Sequence, residues 1–360
     1  MGEPLRIGMV GAGKISGAYL DTFVKSDSVR LTAVTDLDPH RARTAADRIP
    51  GAEVAGSLAE LVVRDDVDAV LNLTVPAVHA QVALAALAAG KHVYGEKPLA
   101  ATREEADAIL AAARAGGLRV GCAPDTVLGT GTQTARKAVD DGLIGRPVAA
   151  TAFMASAGPE SWHPDPEFYY RPGGGPLLDM GPYYLSSLVH VLGPVVRVTG
   201  AASRTRTERD IGSGPRAGTH FPVEVDTHVT GVLEHAGGAL TTLLMSFDIQ
   251  AARLPRIEVH GTGGSLSVPD PNGFDGLVEY HRAGGEWQLL PVSAGYRGAG
   301  RGTGLVDLAD ALSAGRPHRA SAGLSRHVLD VMLTLLDAAR EGAALSVRSS
   351  CERPEPVHMR

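Results

Sequence analysis

The sequence predicts an α/β protein in two parts: a doubly wound parallel sheet, then an α+β domain built on an antiparallel or mixed sheet. Two observations carry this expectation. Up to about residue 122, short apolar runs alternate with capped helical stretches, the rhythm of right-handed βαβ crossovers. Beyond that point strand-like runs follow one another directly, as antiparallel pairing requires. The 360 residues leave room for two cores at roughly 100–200 residues each.

Residues 5–10 read as a buried strand, followed by Gly11-Ala12-Gly13-Lys14-Ile15-Ser16 and a helix to about residue 25. A second strand, 31–35, stops at Asp36. Asp38 then offers an N-cap with Pro39 in the first helical position. Ser57 and Glu60 form a capping box before a short helix, and 69–74 is another apolar strand. Residues 76–89 read as an alanine-rich helix stopped by Gly90, and 92–94 as a strand. Thr102 and Glu105 cap a helix ending at Gly116-Gly117, and 119–121 completes the series.

The second part begins with a helix near 132–141 and a strand near 148–157. A loop rich in glycine, proline and aromatic residues covers 158–176, and a helix follows over 177–192 with Gly193 as its C-cap. Segments 225–234 and 239–249 flank Ala236-Gly237-Gly238 and read as a hairpin. Strands are expected at 257–260, 265–268, 278–281 and 287–291, and helices at 305–313 and 324–341. The expected division is 1–122, 123–347 and a frayed tail over 348–360.

Composition narrows the function classes. With 44% hydrophobic and 21% charged residues the chain is neither disordered nor fibrous. A net charge of −6 gives no electrostatic reason to bind nucleic acid or an anionic membrane. No apolar run approaches the ~18–20 residues of a membrane span, and the N-terminus lacks the pattern of a signal peptide. Cys122 and Cys351 are too few for a disulfide framework and too isolated for a zinc site, so no metal is expected and a cytoplasmic location is. Lysine is scarce: Lys14, Lys25, Lys91, Lys97 and Lys137 are all there are. In a chain only 4% aromatic, seven aromatic residues fall between Phe153 and Tyr184, which suggests a wall or platform.

Gly11-x-Gly13-x-x-Ser16 sits between a strand and a helix. The first glycine suits a tight turn, the second lets backbone approach a pyrophosphate at a helix N-terminus, and Ser16 is small enough for close packing. Asp36 ends the second strand, where a carboxylate accepts hydrogen bonds from ribose hydroxyls. These features in register point to a dinucleotide. NAD is favoured over NADP, because Asp36 repels a 2′-phosphate and Leu37 supplies no arginine; Arg41 and Arg43 read as a solvated helix face.

Glu96-Lys97-Pro98 follows a strand on the carboxyl edge of the parallel sheet, where ligands bind in such folds. A lysine desolvated there beside a cationic ring has a lowered pKa and can exchange a proton with a hydroxyl. Asp179 and Tyr183 are four apart on one helix and share a face. His163, in Ser161-Trp162-His163-Pro164-Asp165, is a third polar candidate. Trp162, Phe168, Tyr169 and Tyr170 precede the Asp179 helix, and aromatic rings stack on the apolar faces of sugars while carboxylates take their hydroxyls. The arginines at 204, 206, 209 and 216 read as a solvated loop.

Over nearly its full length the chain resembles the glucose–fructose oxidoreductase/inositol dehydrogenase/MocA-like oxidoreductases. The motifs are Gly11–Ser16, Thr74-Val75-Pro76 with His79, Gly90 to Pro98, and the glycine run before Leu177-Leu178-Asp179-Met180-Gly181. The resemblance implies a Rossmann domain, a C-terminal domain with a large open sheet, a bound nicotinamide cofactor and hydride transfer at a sugar or cyclitol carbon. It implies homodimers or homotetramers formed through the sheet. It assigns Lys97 and Asp179 to the catalytic group and places Pro76 and His79 near the nicotinamide and ribose; Thr74 and Glu96 belong to the same motifs.

Two departures stand out. The family commonly has a histidine four residues after this aspartate; here it is Tyr183, a poorer base near neutrality with an ordinary pKa of ~10. Either Lys97 performs the main proton transfer with Tyr183 positioned by it, or His163 supplies an imidazole. Ala123-Pro124-Asp125-Thr126 replaces a basic segment, so Asp125 is a candidate for substrate hydroxyls or else a helix or turn cap. The expected activity is dehydrogenation or reduction of a sugar, sugar derivative or cyclitol, with Lys97 as acid/base oriented by Asp179. The rivals are a glycoside hydrolase that oxidises transiently, using His163 or Asp125 as an extra base, and a non-catalytic dinucleotide-binding regulator.

Overall fold

The structure is a computed structural model that describes residues 3–360. It forms two compact units. The first holds the described residues up to Leu128 together with Gly298–Arg326; the second holds Gly129–Arg297 and His327–Arg360.

The first unit is built on β1 (Leu5–Val10), β2 (Val29–Thr35), β3 (Glu53–Val54), β4 (Ala69–Asn72), β5 (His92–Gly95) and β6 (Val120–Cys122). All pair in parallel, in the order β3-β2-β1-β4-β5-β6. The order reverses between β1 and β4, which opens a crevice at the carboxyl ends of the strands. Ile7, Met9, Leu31, Val34 and Leu71 are wholly buried, as strands covered on both faces must be. The crossovers are α1 (Ser16–Lys25), α2 (Pro39–Ala46), α3 (Leu58–Val62), α4 (His79–Ala88) and α5 (Arg103–Gly116). The caps read from sequence form. Asp38 accepts from the His40 amide at 2.9 Å, Ser57 from the Glu60 amide at 3.2 Å, and Thr102 and Glu105 complete a capping box. No side chain caps α1, where the Ser16 and Ala18 amides bond back to the Gly13 and Ile15 carbonyls at 3.1 Å.

The second unit contains α6 (Thr130–Asp140), β7 (Pro147–Ala155), α7 (Pro176–Leu192), β8 (Val195–Ser203), β9 (Glu208–Asp210), β10 (His220–Pro222), β11 (His228–His235) and β12 (Leu240–Ser246). It continues with β13 (Ile257–Gly261), β14 (Gly264–Val268), β15 (Glu279–Arg282) and β16 (Trp287–Leu289). The chain then returns to the first unit through α8 (Thr303–Ser313), and the division between units falls within α9 (Ala322–Glu341); β17 (Leu345–Ser346) follows. Nine strands form one sheet, β16-β15-β14-β13-β7-β12-β11-β8-β17, in which only β7 and β12 pair in parallel. β7 alternates buried Ala150, Ala152 and Met154 with half-exposed neighbours, and α7 packs across β7, β11 and β12. The mainly antiparallel sheet and the β11–β12 hairpin agree with expectation.

The chain departs from its sequence reading in the unit boundary, several strands and the tail; the two-residue strands β3 and β17 were not expected. Residues 123–128 and 298–326 join the first unit, so the boundary does not fall at 122 and the second part is not continuous to 347. β8 had no counterpart, since Arg197 and Gly200 interrupt its apolar run. The arginine-rich segment holds a separate two-stranded hairpin, β9–β10. The tail is docked, with Val357 only 1% exposed. Its Arg353 Nε donates to the His190 carbonyl at 2.6 Å, and the Val357 amide to Gln133 Oε1 at 2.9 Å. Such long-range partners leave no periodic trace in sequence.

Candidate active site

In the first unit the candidate residues stand at successive strand ends. After β1 the backbone turns at Gly11, whose φ is +94° and where a Cβ would meet the Leu73 carbonyl oxygen at 2.8 Å. A Cβ at Gly13 would meet nothing within 4 Å, so the backbone there borders open space. Ser16 is buried and its hydroxyl donates to the Gly13 carbonyl at 2.7 Å, closing the turn, while Lys14 and Ile15 are exposed. Past β2, Asp36 Oδ2 accepts the Ala12 amide at 2.6 Å and Oδ1 the Asp38 amide at 2.8 Å. The carboxylate is thus fixed against the glycine turn. Asn72, at the end of β4, accepts from the Thr74 hydroxyl at 2.6 Å; Pro76 is exposed beside it.

Beyond β5 comes Glu96-Lys97-Pro98, each residue partly exposed. The Glu96 amide donates to the Asn72 carbonyl at 2.9 Å, which ties this segment to the end of β4. His79 does not face open space: it is 3% exposed, and its ring nitrogens lie 2.6 Å from the Pro98 carbonyl oxygen and 3.0 Å from that of Thr74. That reassigns it from a direct cofactor contact to a clasp between two loops. Asp125 is likewise corrected. It is wholly buried, and Oδ2 accepts the Gly302 and Gly304 amides at 2.8 and 3.0 Å at the start of α8. Burial raises its pKa. It is the turn cap of the two readings, with no surface to offer a substrate.

In the second unit Asp179 lies in the first turn of α7, half-buried, with Tyr183 one turn on and 7% exposed. The preceding loop holds an aromatic group. The His163 ring meets Trp162, Phe168 and Tyr169 edge-on at centroid distances of 5.5, 5.3 and 5.6 Å. Trp162 and Phe168 are more than half exposed, at 58% and 55%. Tyr170 departs from the expected platform: it is wholly buried against Phe221 and Phe247. Nδ1 of His163 accepts the Asp165 amide at 3.1 Å, which leaves Nε2 as the ring nitrogen for a ligand.

The residue that sequence reasoning missed here is Arg209. Instead of a solvated arginine it has a side chain 3% exposed, ion-paired with Glu160 and Asp248 and donating to the Ala157 and Phe247 carbonyls at 3.0 Å. Glu160 also accepts from the Tyr170 hydroxyl, whose pKa burial and that carboxylate push far up. Arg209 therefore anchors the aromatic loop to β9 and to the end of β12. No sequence signal near 209 separates it from its exposed neighbours.

A positive-φ glycine turn on β1, an uncapped helix N-terminus and a fixed carboxylate on β2 define a dinucleotide-binding domain, and these residues fit an NAD cofactor. Comparison with known proteins gives the particular group. Residues 5–123 match the model of the oxidoreductase family with an NAD-binding Rossmann fold, and residues 132–267 match the GFO/IDH/MocA C-terminal domain. The chain belongs to the GFO/IDH/MocA oxidoreductase family. It is 30% identical over 268 residues to the 1,5-anhydro-D-fructose reductase of Ensifer adhaerens, covering 72% of this chain and 74% of that protein. It is 31% identical over 270 residues to the dTDP-3,4-didehydro-2,6-dideoxy-alpha-D-glucose 3-reductase of Streptomyces antibioticus, covering 71% and 80%. An NAD binding oxidoreductase from Klebsiella pneumoniae superposes with a TM-score of 0.81 at 25% identity, over 97% of this chain and all of that one. Among the described residues no helix is long and apolar enough to cross a membrane, and no group of side chains is arranged to hold a metal ion.

Proposed function

We propose that this protein is an NAD-dependent dehydrogenase or reductase acting at a carbon–hydroxyl centre of a sugar, sugar derivative or cyclitol. The observation that carries the reading is Lys97 at the carboxyl end of β5, on the same sheet edge as the glycine turn and with the end of β4 between them. When bound, the nicotinamide supplies the hydride acceptor or donor. Lys97 takes the hydroxyl proton as the carbonyl forms and returns it in reduction, a contribution of roughly 10²–10⁴-fold for a positioned acid/base. Asp179 accepts hydrogen bonds from substrate hydroxyls. Tyr183 assists that proton transfer, and His163 donates from Nε2 beside the ring faces of Trp162 and Tyr169.

NAD is preferred to NADP, because Asp36 repels a second phosphate and Arg41 is paired with Asp38 at 3.5 Å. The transient-oxidation glycosidase needs an extra base; of the residues nominated for it, Asp125 is buried and His163 accepts the Asp165 amide at Nδ1. The β7–β16 face away from α7 carries Leu240, Val232, Trp287 and Leu289, each 40% exposed or more, and is proposed as the surface of a homodimer or homotetramer.

Lys97→Met tests the assignment. The expected result is a fall in kcat of about 10³-fold with the Kd for NADH, read by its fluorescence, within about threefold of wild type. Retained turnover overturns the role of Lys97.

A further inference from the structure

The segment that carries Lys97 is gripped on both sides by buried residues to which the reaction assigns no chemistry. On one side is Tyr19, wholly buried on α1. Its hydroxyl donates to Glu96 Oε1 at 2.8 Å, while Glu96 Oε2 accepts the Lys97 amide at 3.1 Å. Burial and the Glu96 carboxylate push the Tyr19 phenol well above its ordinary range, so it remains a donor at every working pH. On the other side His79, from α4, sets Nδ1 2.6 Å from the Pro98 carbonyl oxygen and Nε2 3.0 Å from that of Thr74, and donates through the nitrogen that carries its proton. Its own carbonyl is fixed in turn by Asn72 Nδ2 at 3.1 Å. The residue before Lys97 is therefore held through its side chain and the residue after it through its backbone.

We propose that Tyr19 and His79 are positioning residues that together fix Lys97, setting where its amine stands and what surrounds it. Neither touches the reacting atoms; each acts through a neighbour of the lysine. The inference rests on Lys97 being the acid/base, but it concerns the placement of Lys97 and is measurable without a substrate. Tyr19 also lies one turn after Ser16 on the helix whose N-terminus faces the dinucleotide site, so the same helix holds both the cofactor turn and this tether.

The chain's five lysines allow a direct test. Full-length protein is reductively methylated with a carbon-13 label, and the Lys97 resonance is assigned as the one missing from Lys97→Arg. Spectra are then titrated with pH, with NADH as the probe ligand. Tyr19→Phe removes a single oxygen from a packed ring. The expected result is a displaced or broadened Lys97 resonance whose titration midpoint moves by about half a pH unit or more, the other lysines being unmoved. NADH affinity stays within about threefold, and kcat for any active substrate falls about tenfold with KM for the cofactor unchanged. His79→Leu behaves alike, whereas His79→Asn, which keeps a donor toward the Pro98 carbonyl, recovers part of the loss. Should Tyr19→Phe not fold, the His79 pair decides alone. A Lys97 resonance and midpoint indistinguishable from wild type in the folded variants overturns the proposal. Turnover surviving Lys97→Met instead overturns the lysine reading, leaving the placement result to stand by itself.

Discussion

The two units present their candidate chemistry by different means. In the first, topology does the placing: Gly11–Ser16 follow β1, Asp36 follows β2, Thr74 follows β4 and Lys97 follows β5. Strands about 4.8 Å apart bring those ends together whatever the loops between them do. In the second, the aromatic loop after β7 has no strand beneath it and is held by Arg209, which lies 49 residues from Glu160 and 39 from Asp248. A parallel sheet makes a site out of short repeated units, whereas the loop depends on one buried cation whose partners are remote in sequence. In stability, the strand-end arrangement should tolerate loss of a polar side chain better than the loop tolerates loss of Arg209.

Arg209→Met is the sharpest way to break this contrast. It leaves Glu160 and Asp248, each little exposed, without their counter-ion, and removing one partner of a buried pair costs about 3–5 kcal/mol. Chemical denaturation should show that loss. In a Trp287→Phe background, Trp162 is the remaining tryptophan and its emission should shift to the red as the loop loosens. Unchanged emission and stability would mean that the loop does not depend on this ion pair.

The first unit has its own buried cluster, away from the strand ends. Asp307 is wholly buried on α8, donated to by Arg316 at 2.8 Å and by the Arg319 amide at 2.7 Å. Burial pulls its pKa up, but the hydrogen bonds and charges of Arg316 and Arg319 outweigh that and hold it below its ordinary 3.8. A carboxyl lowered in the folded state contributes stability above the unfolded value and loses it as pH falls through the folded one. Asp307→Asn should therefore be less stable than wild type by about 3 kcal/mol at pH 7. The gap should close below about pH 4. A gap that is constant with pH would contradict the ionised pairing.

Gly11→Ala should have a smaller effect on stability, about 1–3 kcal/mol from the positive φ and the close Leu73 carbonyl. Because the strain falls on the turn itself, NADH affinity should drop as well, which titration by fluorescence checks.

Most of the first unit was legible because its signals are local. Asp38-Pro39, the Ser57 and Thr102 boxes and the glycine turn each declare an element within a few residues, and the alternation of strand and helix declares a parallel sheet. Asp36 and Lys97 were legible for the same reason, each following a strand. Tyr19 carried a weak signal that went unread: a tyrosine on the buried face of α1 needs a partner for its hydroxyl. Asp125 and His79 look like ligands in sequence because a polar residue beside a motif does not reveal which way it points. Both are spent on backbone groups. Arg209, β8 and the docked tail were illegible since their partners lie tens of residues away, and nothing local distinguishes Arg209 from Arg206.

Net redox chemistry at a carbinol carbon is separable from redox-neutral cleavage by following cofactor and product at once. The protein is incubated with NAD⁺ and a panel of free sugars, cyclitols and aryl glycosides, following NADH absorbance and products by NMR together. NADH is expected in equal amount with a keto product, and neither is formed by Lys97→Met. Release of the aglycone with no net NADH would contradict it and assign the protein to redox-neutral glycoside cleavage.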